Sequence, residues 1–244
     1  MRPLERASAP DHVRLLRHGD VEVKGRLPWS SNGTFLVELC LDGDTGLAVY
    51  KPVRGERGLW DFPPGLHVRE TAAYALSEAL GWRLVPETVI RDGPLGEGSL
   101  QRFVPADFEQ HYFTLHESGA HHPALKAICA FDLLANNADR KSGHCLLGED
   151  GHIWGIDHGL TFHTEHKLRT VIWDFAGEPL PGDLCGDVER ALTSLQAGEL
   201  SHALERLLSP AEVDMLRRRL RGVLDPQWRF PEPTSAWSIP WPPI

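Results

Sequence analysis

The chain has 244 residues, with 25 Lys and Arg against 34 Asp and Glu, a net charge of −9, and 41% hydrophobic residues. That length suits one domain, or one domain with a small second lobe, at roughly 100–200 residues per domain, and the apolar share excludes a disordered or fibrous chain. The negative charge argues against nucleic acid as a partner and against stable membrane association.

No run reaches the roughly 18 apolar residues of a membrane span, and residues 1–6 lack the apolar stretch of a signal peptide, so a cytoplasmic protein is expected. Cys40, Cys129, Cys145 and Cys185 form no CxxC pair and read as buried free thiols. Oligomeric state is not legible.

Residues 1–10 read as a flexible leader. FLVELCL (35–41) and LAVYK (47–51) flank a turn-rich Asp42–Gly46, which predicts a hairpin with Lys51 near its end. Ala72, Ala73, Leu76, Ala79 and Leu80 recur at helical spacing and stop at Gly81, predicting a helix over 69–80. Residues 88–91 and 99–104 read as strands around a Gly/Pro turn. The first part, 11–104, is thus a small sheet with one helix.

From 105 to 230 the character changes. PALKAICAFDLLAN (123–136) predicts a buried central helix, and residues 144–147 and 152–156 flank a turn, predicting a second hairpin. Ser209-Pro210-Ala211-Glu212 is a capping box that opens a helix to about Val223. The Pro- and Trp-rich tail, 231–244, should be extended, draped on the surface or loose.

Nine of the thirteen histidines fall between His111 and His166. Within that stretch Asn136-Asn137-Ala138-Asp139-Arg140-Lys141-Ser142-Gly143-His144 precedes the second hairpin and Asp157-His158-Gly159 follows it. An antiparallel hairpin brings Asp157 beside residues 142–144, so that one metal ion is within reach of both His144 and Asp157, with Asp139 on the loop just before. One carboxylate for a metal and one near a substrate hydroxyl is what phosphoryl transfer requires.

This arrangement, Asp-Arg, a potential ligand five positions after the Asp, a short hairpin and Asp-x-Gly, resembles the catalytic and metal loops of the phosphatidylinositol 3- and 4-kinase superfamily. The chain as a whole resembles a bacterial phosphatidylinositol-kinase-like family, over about residues 30–180. The resemblance implies an α+β, two-lobed kinase-like fold, with an antiparallel-sheet N-lobe and a mainly helical C-lobe carrying a catalytic hairpin.

It further implies that Ser30-Ser31-Asn32-Gly33-Thr34 covers phosphates. Lys51 would contact the α- and β-phosphates with Glu70 as its partner, and Gln101 to Val104, including Phe103, would line an adenine pocket. Asp139 would orient the acceptor hydroxyl, Arg140 would support its loop, and Asp157 would bind Mg²⁺ under ATP. The superfamily has Asn where this chain has His144, and imidazole nitrogen suits Mn²⁺ better than Mg²⁺, so a manganese preference is expected.

The reading is therefore an ATP- and divalent-metal-dependent kinase with a hydroxyl-bearing acceptor of unresolved class. Two alternatives stay open: a nucleotide-binding pseudokinase, and a metal-dependent hydrolase with Asp139, His144, Asp157 and His158 as ligands.

Overall fold

A computed structural model describes residues 11–28 and 32–243. The chain forms α1 (His12–His18), β1 (Asp20–Arg26), β2 (Phe35–Leu41), β3 (Asp44–Pro52), α2 (Leu66–Leu80), β4 (Thr88–Gly93), β5 (Gly96–Arg102) and β6 (Ala106–Asp107). It continues with α3 (Tyr112–Ser118), α4 (His122–Ala135), β7 (Cys145–Gly148), β8 (Ile153–Gly155), α5 (Gly182–Ala197), α6 (Glu199–Leu204) and α7 (Pro210–Val223). The fold is α+β and two-lobed. Among the described residues no helix is long and apolar enough to cross a membrane.

The first lobe is an antiparallel sheet of order β1-β2-β3-β5-β4. Side chains alternate across a strand, so Val37, Leu39, Ala48, Tyr50 and Leu100 point to one face, where Leu15 and Leu16 of α1 close a small core. Lys51 and its neighbours on β3 and β5 point to the other. The β2–β3 hairpin is tighter than expected, with Leu41 already opposite Asp44 and Asp42 and Gly43 at positive φ. The sequence reading overlooked α1 and β1; β1, DVEVKGR, is almost wholly exposed and carries no buried stripe.

The helix expected to belong to the sheet lobe is shared instead. Ala72, Ala73, Leu76 and Leu80 of α2 sit in the large core of the helical lobe, with Phe131 and Leu134 of α4, Val188 and Leu195 of α5 and Leu216 of α7. The sheet lobe's own core is closed by α1, and α2 packs on β4 and β5 as well as on α5 and α6. At its other end α7 ties back to α2, because Glu212 of the Ser209–Glu212 capping box also holds Arg69.

Helix α4 ends at Asn136 in the left-handed conformation (φ 56°), turning the chain into the segment that precedes β7. The second hairpin forms in the expected register, Cys145 opposite Gly155 and Leu147 opposite Ile153. Of the cysteines, Cys129 and Cys145 are buried as expected, but Cys40 is exposed. The tail is neither loose nor merely draped: Thr170 donates its N–H to Ser238 O (3.0 Å) and Ser142 to Pro243 O (2.9 Å).

Candidate active site

A cleft of about 420 Å³ opens between the lobes, and Lys51, Glu70, Asp139 and Asp157 all line it. Larger hollows lie against α5 (about 740 Å³) and beside the start of α2 (about 490 Å³), but each is lined by a single carboxylate, Glu189 and Glu212 respectively. Four ionisable groups that the chain spreads over more than a hundred residues therefore meet at one place.

Lys51 Nζ is held between the Glu70 carboxylate and Asp157 Oδ1, the latter at 2.8 Å. Burial works against the ammonium, but Asp157 and Glu70 outweigh it and raise Lys51 above its ordinary value. The Lys51 charge in turn holds Asp157 well below the usual carboxylate range. Burial pushes Glu70 up, against the pull of Lys51. Asp157 itself stands at φ 59°, a conformation uncommon for a residue with a Cβ and found where a side chain is being aimed.

His144 Nε2 lies 3.5 Å from Asp157 Oδ2, as the hairpin argument requires. Burial lowers the imidazole to about 4, so it is neutral near pH 7 and keeps a lone pair. A half-exposed carboxylate beside a neutral imidazole fits a divalent cation. Among the described residues no three His, Cys, Asp or Glu side chains converge on a point, so these two donors need ligand oxygens from elsewhere to complete a coordination sphere. His158 is no third donor: it is buried, and its Nε2 faces the guanidinium of Arg140 at 2.7 Å.

Asp139 stands across the cleft with Lys141 Nζ 3.3 Å from its carboxylate. Burial raises Asp139 to about 6 despite that lysine. Arg140 points the opposite way. It is fully buried and paired with Asp132, so it touches nothing in the cleft and belongs to the scaffold behind the loop. Asn136 and Asn137 are also buried; Asn136 binds the backbone of His163, Glu165 and Lys167, and Asn137 Oδ1 accepts the Asp139 N–H at 3.0 Å.

Ser31 lies outside the described residues, while Asn32 and Gly33 line the cleft. The hairpin of β1 and β2 holds their loop, but the Gly33 N–H is donated to Gly55 O (2.9 Å) and is not free to face a ligand. Asn32 Oδ1 accepts the Arg57 N–H at 3.1 Å. Gln101 is not part of the cleft wall: it shares the Lys51 face of the sheet, opposite Val49, and its amide donates to Thr88 Oγ1 at 2.9 Å. Phe103 is likewise absent from the wall.

The wall also holds residues that were not anticipated, among them Glu56, Arg57, His67, Lys141, Arg169 and Trp241. Lys141 had a signal, two positions beyond Asp139. Trp241 had none, since nothing local says that a tail will return to the segment that carries Asp139.

No protein-family model matches the chain. Protein Rv2133c of Mycobacterium tuberculosis is 41% identical over a 266-residue alignment that covers 95% of each chain. The chain belongs to the Rv2133c family. Solved structures show the fold to be kinase-like. The Golgi casein kinase solved with Mn/ADP bound is similar at a TM-score of 0.55 and 15% identity, over 86% of this chain and 74% of that one. Hydra Fam20 with sugar matches at 0.53 and 14%, over 87% of both. The Helicobacter pylori proinflammatory kinase CtkA matches at 0.50 and 13%, over 85% and 92%. The Rv2133c-family chain thus has a two-lobed kinase-like fold.

Proposed function

We propose that the chain is an ATP- and divalent-metal-dependent phosphotransferase of the phosphatidylinositol-kinase-like type that acts on a hydroxyl acceptor. The observation that carries this reading is Lys51 clamped between Glu70 and Asp157 with Asp139 across the same cleft. The likeness to a Golgi casein kinase solved with Mn/ADP supports a metal and a nucleotide as ligands.

In this reading Lys51 exchanges Asp157 for phosphate oxygens while Glu70 keeps its ammonium aimed. Asp157 and His144 would hold a divalent cation, which would supply neutralisation of the phosphates' charge. Asp139 orients the acceptor hydroxyl and, with a value of about 6, takes up its proton as the oxygen attacks. Lys141, beside Asp139, meets charge developing on the transferred group. Arg169 and Trp241 also line the cleft. Positioning and charge neutralisation supply most of the rate. The hydrolase reading loses His158 as a ligand and gives no role to the Lys51–Glu70 pair.

Thermal unfolding tests the proposal, with ATP, Mn²⁺ and Mg²⁺ alone and combined, beside Asp157→Ala. A ligand at about 100 times its Kd adds roughly 2.7 kcal/mol. Stabilisation that needs nucleotide and metal together and disappears in Asp157→Ala is expected. Stabilisation by metal alone, indifferent to ATP, would overturn the reading and favour the hydrolase.

A further inference from the structure

Asp132 on α4 lies outside the cleft and is 1% exposed. Its carboxylate takes a two-pronged grip on Arg140, Oδ2 from Nε at 2.8 Å and Oδ1 from Nη2 at 2.9 Å. Arg140 Nη1 then donates to the carbonyls of His144 (3.1 Å) and Ile156 (2.9 Å). Those carbonyls belong to one candidate metal ligand and to the residue just before the other.

Asp132 Oδ1 also accepts the side-chain amide of Asn137 at 2.9 Å, and Asp132 O accepts the Asn137 N–H at 2.9 Å. Asn137 Oδ1 in turn accepts the Asp139 N–H at 3.0 Å. One buried carboxylate is therefore two hydrogen bonds from the backbone at Asp139 and two from the backbone that carries His144 and Asp157.

We propose that Asp132 is a positioning residue that sets the spacing between the hydroxyl-orienting carboxylate and the two metal ligands. Fork-to-fork pairing fixes both distance and plane, which a pair of apolar side chains would not do. Stability alone is a weak account of the pair, because a buried ion pair contributes little beyond what apolar residues of similar volume would. The inference rests on the proposed roles of Asp139, His144 and Asp157.

The test uses the full chain and counts Mn²⁺ bound in saturating ADP from the loss of the free-ion electron paramagnetic resonance signal, with a melting curve for each variant. Replacing the pair together, Asp132→Leu with Arg140→Met, removes the fork without stranding a charge. The expected result is a cooperative melt with Mn²⁺ affinity weaker by about 10- to 100-fold, the usual cost of losing support behind a ligand. Asn137→Ala, which spares Arg140, should leave Mn²⁺ affinity unchanged and slow ATP turnover about tenfold or more through a misplaced Asp139.

Wild-type Mn²⁺ affinity in the folded double variant would overturn the inference and leave the site assignment standing. Wild-type turnover in Asn137→Ala would overturn the limb that reaches Asp139. A wild-type chain that binds no Mn²⁺ with ADP, or an Asp157→Ala chain that binds it equally well, would overturn the site assignment and the inference with it.

Discussion

Glu70 Oε2 accepts the backbone N–H of His158 at 3.0 Å while Oε1 holds Lys51. One carboxylate thus fixes the lysine and the loop that carries Asp157. Because Glu70 sits on α2, whose apolar face belongs to the helical core, the lysine on the sheet is referenced to the lobe that bears Asp139. The two separate tasks of Glu70 respond differently to substitution. Glu70→Gln keeps an acceptor for His158 and loses the charge facing Lys51; Glu70→Ala loses both. A buried N–H left without a partner costs about 1–3 kcal/mol, which for a chain of this size is a drop of roughly 2–12 °C. The Ala variant should therefore melt lower than the Gln variant, while both lose nucleotide stabilisation. Equal melting temperatures would show that the His158 bond contributes nothing.

Asp139 has the opposite linkage from a paired carboxylate. Its folded value, about 6, lies above its ordinary 3.8 because burial penalises the charged form. The folded protein then binds a proton more tightly than the unfolded chain, so the effect is absent below about pH 4 and destabilises progressively as the pH rises through 6. Asp139→Asn removes that cost. Melting curves should show the Asn variant more stable than wild type at about pH 8, by at most about 2–3 kcal/mol, and equal to it near pH 4, while phosphoryl transfer is lost. A variant less stable at the higher pH would show that Asp139 is better solvated or better paired than its surroundings indicate.

How much of this was readable in advance follows the range of each interaction. The β2–β3 and β7–β8 hairpins, α4 and the α7 capping box are written in neighbouring residues, and the structure reproduces them. The approach of His144 and Asp157 follows from one hairpin register. What local sequence does not encode is which lobe α2 joins, because its apolar stripe fits either. Nor does it encode that Arg140 turns inward, since its buried partner Asp132 lies a helix-turn and a loop away. The tail's bonds to Ser142 and Thr170 span some seventy to a hundred residues, and Trp241 in the cleft wall is their consequence.

In the proposed reading the choice of metal turns on His144. A neutral imidazole beside Asp157 favours a cation that accepts nitrogen readily. With saturating nucleotide, Mn²⁺ should half-saturate the wild-type chain at a lower concentration than Mg²⁺. His144→Asn replaces the nitrogen by an amide oxygen and should narrow or reverse the ratio. Identical ratios in the two proteins would remove His144 from the coordination sphere.

The loop at Asn32 and Gly33, proposed to cover phosphates, offers a test that touches no charged group. Gly33 and Gly55 are packed backbone to backbone: a Cβ on Gly55 would lie 2.7 Å from Gly33 O and 2.9 Å from Gly33 Cα, and no flexible side chain is there to give way. Gly55→Ala must therefore push the loop out, breaking the Gly33–Gly55 hydrogen bond and moving Asn32 from the cleft wall. Gly58, three residues on, has nothing within 4 Å of an added Cβ and supplies the matched control. Gly55→Ala should weaken ATP binding by about tenfold, or about 1.4 kcal/mol, while Gly58→Ala leaves it unchanged. The bond lost is a single solvent-accessible one, so the melting temperature without nucleotide should move by only a few degrees. Equal ATP affinity in both variants would mean that the loop does not cover the nucleotide and that Lys51 binds the phosphates without it.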